Sequence, residues 1–196
     1  NEFVPAKIGG YDGKYPHAGN LTDAIWLQRH PTTATNRNRH RAKEVLYLFL
    51  GNDILKAAER PIAINANALA DNPTLTNPDC SVCHAVVDPI AGCFRNFQPT
   101  FDNGNDSQFA LQAGDKWFEG MAQTGFAGKP APANAYPAAT QWLGQEIAND
   151  PGFAFAAVFM GYRTLTGNEP LQPPVSGDDE NFDAKLTAFL GQYYTF

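Results

Sequence analysis

Apolar residues recur at helical spacing in several separated stretches of the chain. In "NRHRAKEVLYLFLGND", Ala42, Val45, Leu46, Phe49 and Leu50 fall on one face, and Gly51 stands where a C-cap belongs. "LTDAIWLQRH" predicts a shorter helix stopped by Pro31, and "ILKAAERP" a further turn or two before Pro61. "YPAATQWLGQEIAND" is helical in pattern. In "NDPGFAFAAVFMGYRTLTG", Asp150 suits an N-cap and Pro151 the first helical position. There Phe155, Val158, Phe159, Tyr162 and Leu165 make one apolar stripe that Gly167 ends. A last helix is predicted from about Asp178, with Phe182, Leu186, Phe189, Leu190 and Tyr193 on one face.

Between these stretches the period is lost. Residues 1–20 read as an irregular arm, 61–79 as a polar loop, and Phe97 to Tyr136 as loop with at most a short helix around Gln112–Gly120. Strand signals are weak, and there is no internal repeat or low-complexity segment. The expected fold is mainly α, with long irregular loops and extra N- and C-terminal helices, as one domain over residues 21–196.

Composition narrows the function classes. A chain of 196 residues can bury a core without staples. Its 14 Lys and Arg against 20 Asp and Glu give a net charge of −6, which argues against a nucleic-acid partner. The longest apolar run, "VLYLFL", is far short of the ~18 residues of a membrane span. Three cysteines are too few, and odd in number, for a disulfide scaffold. The first residue is Asn1, so the chain is expected to be a mature or excised piece of a longer precursor. Phosphate-loop, H-E-x-x-H and G-x-S-x-G patterns are absent. "DNGND" at 102–106 and "GDDEN" at 177–181 space carboxylates as calcium loops do, but neither matches an EF-hand, and turn or cap roles explain both.

The chemistry concentrates in "NPDCSVCHAVVDPIAGCF". Cys80, Cys83 and His84 form C-x-x-C-H, the attachment signature of a covalent c-type haem. Two thiols one helical turn apart match the two vinyl groups of the ring, and the next residue aims its imidazole at the iron. A zinc knuckle with Cys93 as third ligand lacks the second ligand pair, and a redox C-x-x-C lacks a βαβ context. Asn77-Pro78 and Asp79 are expected to start a short helix that Asp88-Pro89 ends. A proximal histidine donates its second ring N–H to an acceptor, and the Pro89 carbonyl is the candidate by position. Cys93, beside Phe94, reads as a buried core thiol.

"NPDCSVCHAVVDPIAGCFRNF", followed by Gly104, resembles the haem segment of cytochrome-c-like domains of unknown function. These occur near the C-termini of large secreted planctomycete and proteobacterial proteins. Their segment reads N-P-x-C-x-x-C-H, then D-P, an aromatic-Asn-aromatic element and a Gly. "TNRNRHRAKEVLYLFLGNDI" resembles their Arg-containing helix ending in Leu-Gly, and "IANDPGFAFAAVFMGYRTLTGNEPL" a later helix. The likeness runs in outline over roughly residues 20–190, with only the haem motif highly specific. "DPIAGCF" departs from the "D-P-L-G-F" of many relatives. The resemblance implies one covalent haem c; it also implies a Trp-aromatic-x-x-Met element, matched here by Trp117 to Met121.

The sixth iron ligand separates electron transfer from chemistry. Met121, 37 residues after His84 in "KWFEGMAQTGFAGKPAP", is the first candidate, because small cytochromes present a distal Met from such a loop (about 112–136 here). His40, His30 and Met160 are the alternatives, and an open site a further one. Arg29, Arg37, Arg39, Arg41 and Lys43 cluster with no acid between Asp23 and Glu44. They read either as a solvated helix start or, through Arg37, Arg39 and Arg41, as partners for haem propionates. Trp117 and Phe126 are candidate pocket walls. The expectation is a monohaem cytochrome carrying single electrons to a redox partner protein in the bacterial periplasm or cell exterior, an electron carrier more than a catalyst. A haem enzyme or sensor with an open sixth site, or the electron-relay module of a larger secreted oxidoreductase, are the alternatives.

Overall fold

The computed structural model describes residues 16–33, 35–57, 73–98, 108–109 and 120–168. The arm over residues 1–15, the loop over 61–72, the helix suggested near Gln112–Gly120 (but for Gly120 itself), both carboxylate loops and the helix from Asp178 lie outside these residues. The described chain is mainly α-helical. It divides into two compact units, Asn1–Phe153 and Ala154–Phe196, where the sequence suggests one domain.

In the first unit, helix α1 spans Ala24–Arg29, and the Asp23 side chain accepts from the backbone N–H of Ile25 and Trp26. Helix α2, Arg39–Leu50, ends at Gly51, whose φ of 67° is the left-handed value that glycine takes freely. It buries Ala42, Val45 and Leu46 as the period predicts; Phe49 and Leu50 pack at the edge of the core. A single turn, α3 (Ile54–Ala57), follows.

The cysteine segment folds as a one-turn helix α4, Pro73–Thr76, and then α5, Pro78–Cys93. Asn77 caps α5 by accepting from Asp79 N–H, with Pro78 in the first position. The expected end at Asp88-Pro89 is corrected: α5 runs on to Cys93 with Pro89 inside it. Pro89 removes one N–H from the ladder, and the carbonyl so freed belongs to exposed Ala85, where water can take it. Ile90, Ala91, Gly92 and Cys93 lie beyond and are buried, so continuing the helix seals the core.

Among the described residues, strand structure is confined to two short antiparallel pairs, β1 (Phe97–Gln98) with β2 (Gln108–Phe109) and β3 (Gly125–Phe126) with β4 (Lys129–Pro130). Ala127 and Gly128 turn the second hairpin at φ 49° and 78°. A 3-10 segment, Ala133–Ala138, leads into α6, Ala139–Asn149.

Helix α5 is the central element. Helices α2, α4 and α6 and strand β3 pack against it. The core runs from Leu21 and Leu27 through Val45, Ile90, Phe94 and Phe97 to Leu143 and Ile147.

Helix α7, Pro151–Thr166, starts where Asp150 accepts from Gly152 N–H, and the unit boundary falls after Phe153. In the second unit the helix ends at Gly167, with φ 71°. Ala156 is buried there, whereas Val158, Met160 and Leu165 are exposed.

Candidate functional site

Cys80, Cys83 and His84 occupy the first two turns of α5, and both thiols are free. Their spacing puts the thiols nearly above one another on the helix surface. Cys83 and His84 line an open pocket of about 330 Å³ together with Val87. Its other walls come from α2 and α3, through Arg39, His40, Lys43, Ile54 and Leu55. One side therefore carries the His84 imidazole, and the other mixes two aliphatic side chains with three basic ones.

The imidazole is held from behind. His84 Nδ1 lies 2.9 Å from Asp88 Oδ1, four residues on along the same helix face. Asp88 is fully buried. Arg39 donates to it through Nε at 2.7 Å to Oδ1 and Nη2 at 3.1 Å to Oδ2, a bidentate pair that joins α2 to α5. Burial by itself pushes the Asp88 carboxyl up, but hydrogen bonds from His84 and Arg39 and the Arg39 charge outweigh it and hold the group below its ordinary value. An ionised Asp88 accepts from Nδ1, which leaves Nε2 as the basic nitrogen. No described residue hydrogen-bonds that nitrogen, and the side chain is 27% exposed.

This corrects the expectation that the Pro89 carbonyl orients His84. The Pro89 carbonyl instead faces the Cys93 thiol at 3.7 Å. Cys93 is fully buried in the core, which pushes its thiol far above the ordinary range. It is the core residue the sequence suggests.

The arginines separate into different roles. Arg39 does reach the site, but its fork is committed to Asp88. Arg41 is wholly buried, against both the solvated and the propionate readings. Its guanidinium donates to the carbonyls of His30 (2.8 Å), Phe97 (2.8 Å) and Leu27 (3.2 Å) and to Asn38 Oδ1 (3.0 Å). It ties the end of α1 and the start of α2 to the strand after α5. Arg37 sits half-buried in the turn before α2 at φ 50°, off the pocket wall.

The candidate distal residues are also separated. Met121 is 5% exposed and belongs to the hydrophobic core; it is not on the pocket wall. Phe126, on β3, is likewise in the core and away from the pocket. Trp117 lies outside the described residues. Met160 is in the other unit. His40 is on the pocket wall, with Nε2 3.6 Å from Glu44 Oε1. His30 packs against the His40 ring edge at 5.2 Å. Burial holds the His30 imidazole below its ordinary value; Glu44 opposes this, and His40, Arg41 and Arg29 reinforce it.

Asp88 is the site residue that sequence reasoning missed. Its signal is present: a carboxylate four residues after a helical histidine shares that histidine's face. As a donor set, two free thiols one turn apart, an oriented imidazole with an uncommitted Nε2 and aliphatic walls suit a covalently held haem. Family models, characterised proteins and solved structures give no match to this chain.

Proposed function

We propose that the protein is a monohaem c-type cytochrome that passes single electrons to a redox partner. The observation that carries this reading is the oriented His84, its Nδ1 2.9 Å from a buried, Arg39-paired Asp88, on the same helix as Cys80 and Cys83. Cys80 and Cys83 would hold the ring through thioether bonds, and His84 Nε2 would be the proximal ligand. When bound, the haem supplies a reversible one-electron couple. The chain's own residues set its working point. Asp88 makes the imidazole a stronger donor, and Ile54, Leu55 and Val87 limit water at the ring. Haem attachment needs reduced thiols and takes place on the oxidising side of the bacterial inner membrane, so a periplasmic or exterior location goes with the reading. Among the described residues, no helix is long and apolar enough to cross a membrane.

A second reading, a haem enzyme or sensor with an open sixth site, is favoured by one observation: Met121 is off the wall of the pocket that His84 lines. Absorption spectra of the chain matured with haem in a bacterial periplasm test both. Covalent haem that survives acid-acetone extraction and is lost in Cys80→Ala, Cys83→Ala supports the cytochrome class. A low-spin ferric spectrum supports electron transfer, and a sulfur-to-iron band that is lost in Met121→Ala would return Met121 to the iron. A high-spin ferric spectrum that shifts with cyanide supports the open site. Failure to acquire haem under these conditions sinks both.

A further inference from the structure

We propose that His30, His40 and Glu44 form a binding site for one divalent transition-metal ion of zinc's class, separate from the iron held through His84. The three side chains each offer one ligand atom, and these atoms all lie within 4.8 Å of one another. Two imidazoles and one carboxylate are a donor set that zinc accepts with a fourth position left for water.

The geometry is largely prepared by the fold. His40 and Glu44 stand four apart on one face of α2, and His40 Nε2 is already 3.6 Å from Glu44 Oε1. Ligand bonds of about 2.0–2.1 Å at a tetrahedral ion place neighbouring donor atoms about 3.3 Å apart, so this edge needs only a small closure. His30 caps the end of α1, and its backbone carbonyl is fixed by Arg41 Nε at 2.8 Å. The connection to α2 is pinned by Asn38 N–H donating to Thr32 Oγ1 at 2.8 Å. Both helix ends are therefore held before any ion arrives.

A second observation points independently to a missing ligand. His30 Nδ1 is buried and has no hydrogen-bond partner among the described residues. Leaving a buried ring nitrogen unpaired is costly, and such a group calls for an explanation in an unseen water or ion. Its immediate surroundings are the Trp26 ring, at 4.9 Å between centroids, and the His40 ring.

One feature opposes the ion. Lys43 Nζ lies 3.2 Å from the same Glu44 oxygen. Lys43 is 35% exposed and on a flexible stem, so it can withdraw into solvent, but it must compete with the metal. That competition yields a prediction which a purely structural cluster does not make.

The test is calorimetric titration of zinc chloride into the full chain in metal-free buffer, with far-UV circular dichroism on every variant. One equivalent is expected to bind. Affinity should fall about tenfold or more in His40→Gln and in Glu44→Gln at unchanged helicity, the scale on which metal sites respond to lost partners. Lys43→Gln should bind zinc more tightly than the parent. Absence of one-equivalent binding, or binding that the His40 and Glu44 variants leave unchanged, overturns the site. In haem-loaded protein, a His40→Gln change that alters the Soret band while zinc affinity stays constant would also overturn it and give His40 to the iron. Zinc binding does not depend on the haem reading, so either can fail alone.

Discussion

Arg41 has no exposed surface, and its charge is tolerated because four acceptors from three parts of the chain meet its fork. A lysine cannot reproduce that planar pattern. Arg41→Lys should therefore destabilise the first unit by about 3 kcal/mol, since it leaves buried carbonyls without donors at about 1–3 kcal/mol each. Urea denaturation followed by circular dichroism measures this, and a loss under 1 kcal/mol would deny the buried network its role. Asp88 gives a second prediction, on pH. Its folded value is depressed, so its contribution is fully present above the unfolded carboxyl value of about 3.9 and is lost as pH falls through the lower folded one. Asp88→Asn should lower stability at neutral pH and flatten the acid limb below about pH 4; a parent and variant with parallel acid limbs would refute it. At this scale the sequence shows the chemistry better than the wiring. C-x-x-C-H is legible because its spacing is the chemistry. The run from Arg29 to Lys43 is not, because charge alone cannot tell a guanidinium that faces water from one that gathers carbonyls across a fold.

Helices are legible where period and caps agree, as in α2 and α7, and α1 and α6 from their pattern alone. The length of α5 was not, because a proline usually marks an end, and the exposure of Ala85 that tolerates Pro89 is a tertiary fact. That extra turn carries Gly92, which supports the strongest packing prediction. A Cβ there would meet the Thr124 hydroxyl and stand 2.9 Å from Thr124 Cβ and 3.1 Å from its Cα, which is backbone. Thr124 immediately precedes β3, so the clash would separate the hairpin from α5. Gly92→Ala should therefore lower stability by about 1–3 kcal/mol despite alanine's better helix propensity. A calorimetric scan that shows an unchanged or raised Tm would mean that Thr124 moves aside freely. Strands β3 and β4 themselves were missed because two residues per strand carry no usable alternation.

On the scale of the whole molecule, the described residues of the site and of the core cluster all belong to the first unit. The pocket is lined between Arg39 and Val87, and the core cluster runs from Leu21 to Ile147. The first unit closes at Phe153, three residues past Asp150, which caps the start of α7. The apolar stripe of α7 reads in sequence like any core-facing helix, and nothing in its period tells which unit it belongs to. Residues 154–196 are expected to contribute little to the stability of the pocket, because the described residues that line it and form the core cluster belong to the first unit. A chain ending at Phe153 should then unfold in one cooperative transition and keep a pocket competent for haem. The expected observations are covalent haem in that shortened chain, a ferric spectrum superimposable on the parent's, and a reduction potential within about 30 mV, less than 1 kcal/mol for a single electron at 59 mV per tenfold change. Loss of haem incorporation, or a change of spin state, would show that the second unit helps to build the site. A fall in Tm with the spectrum unchanged would confine that help to stability and leave the chemistry to the helix of Cys80, Cys83 and His84.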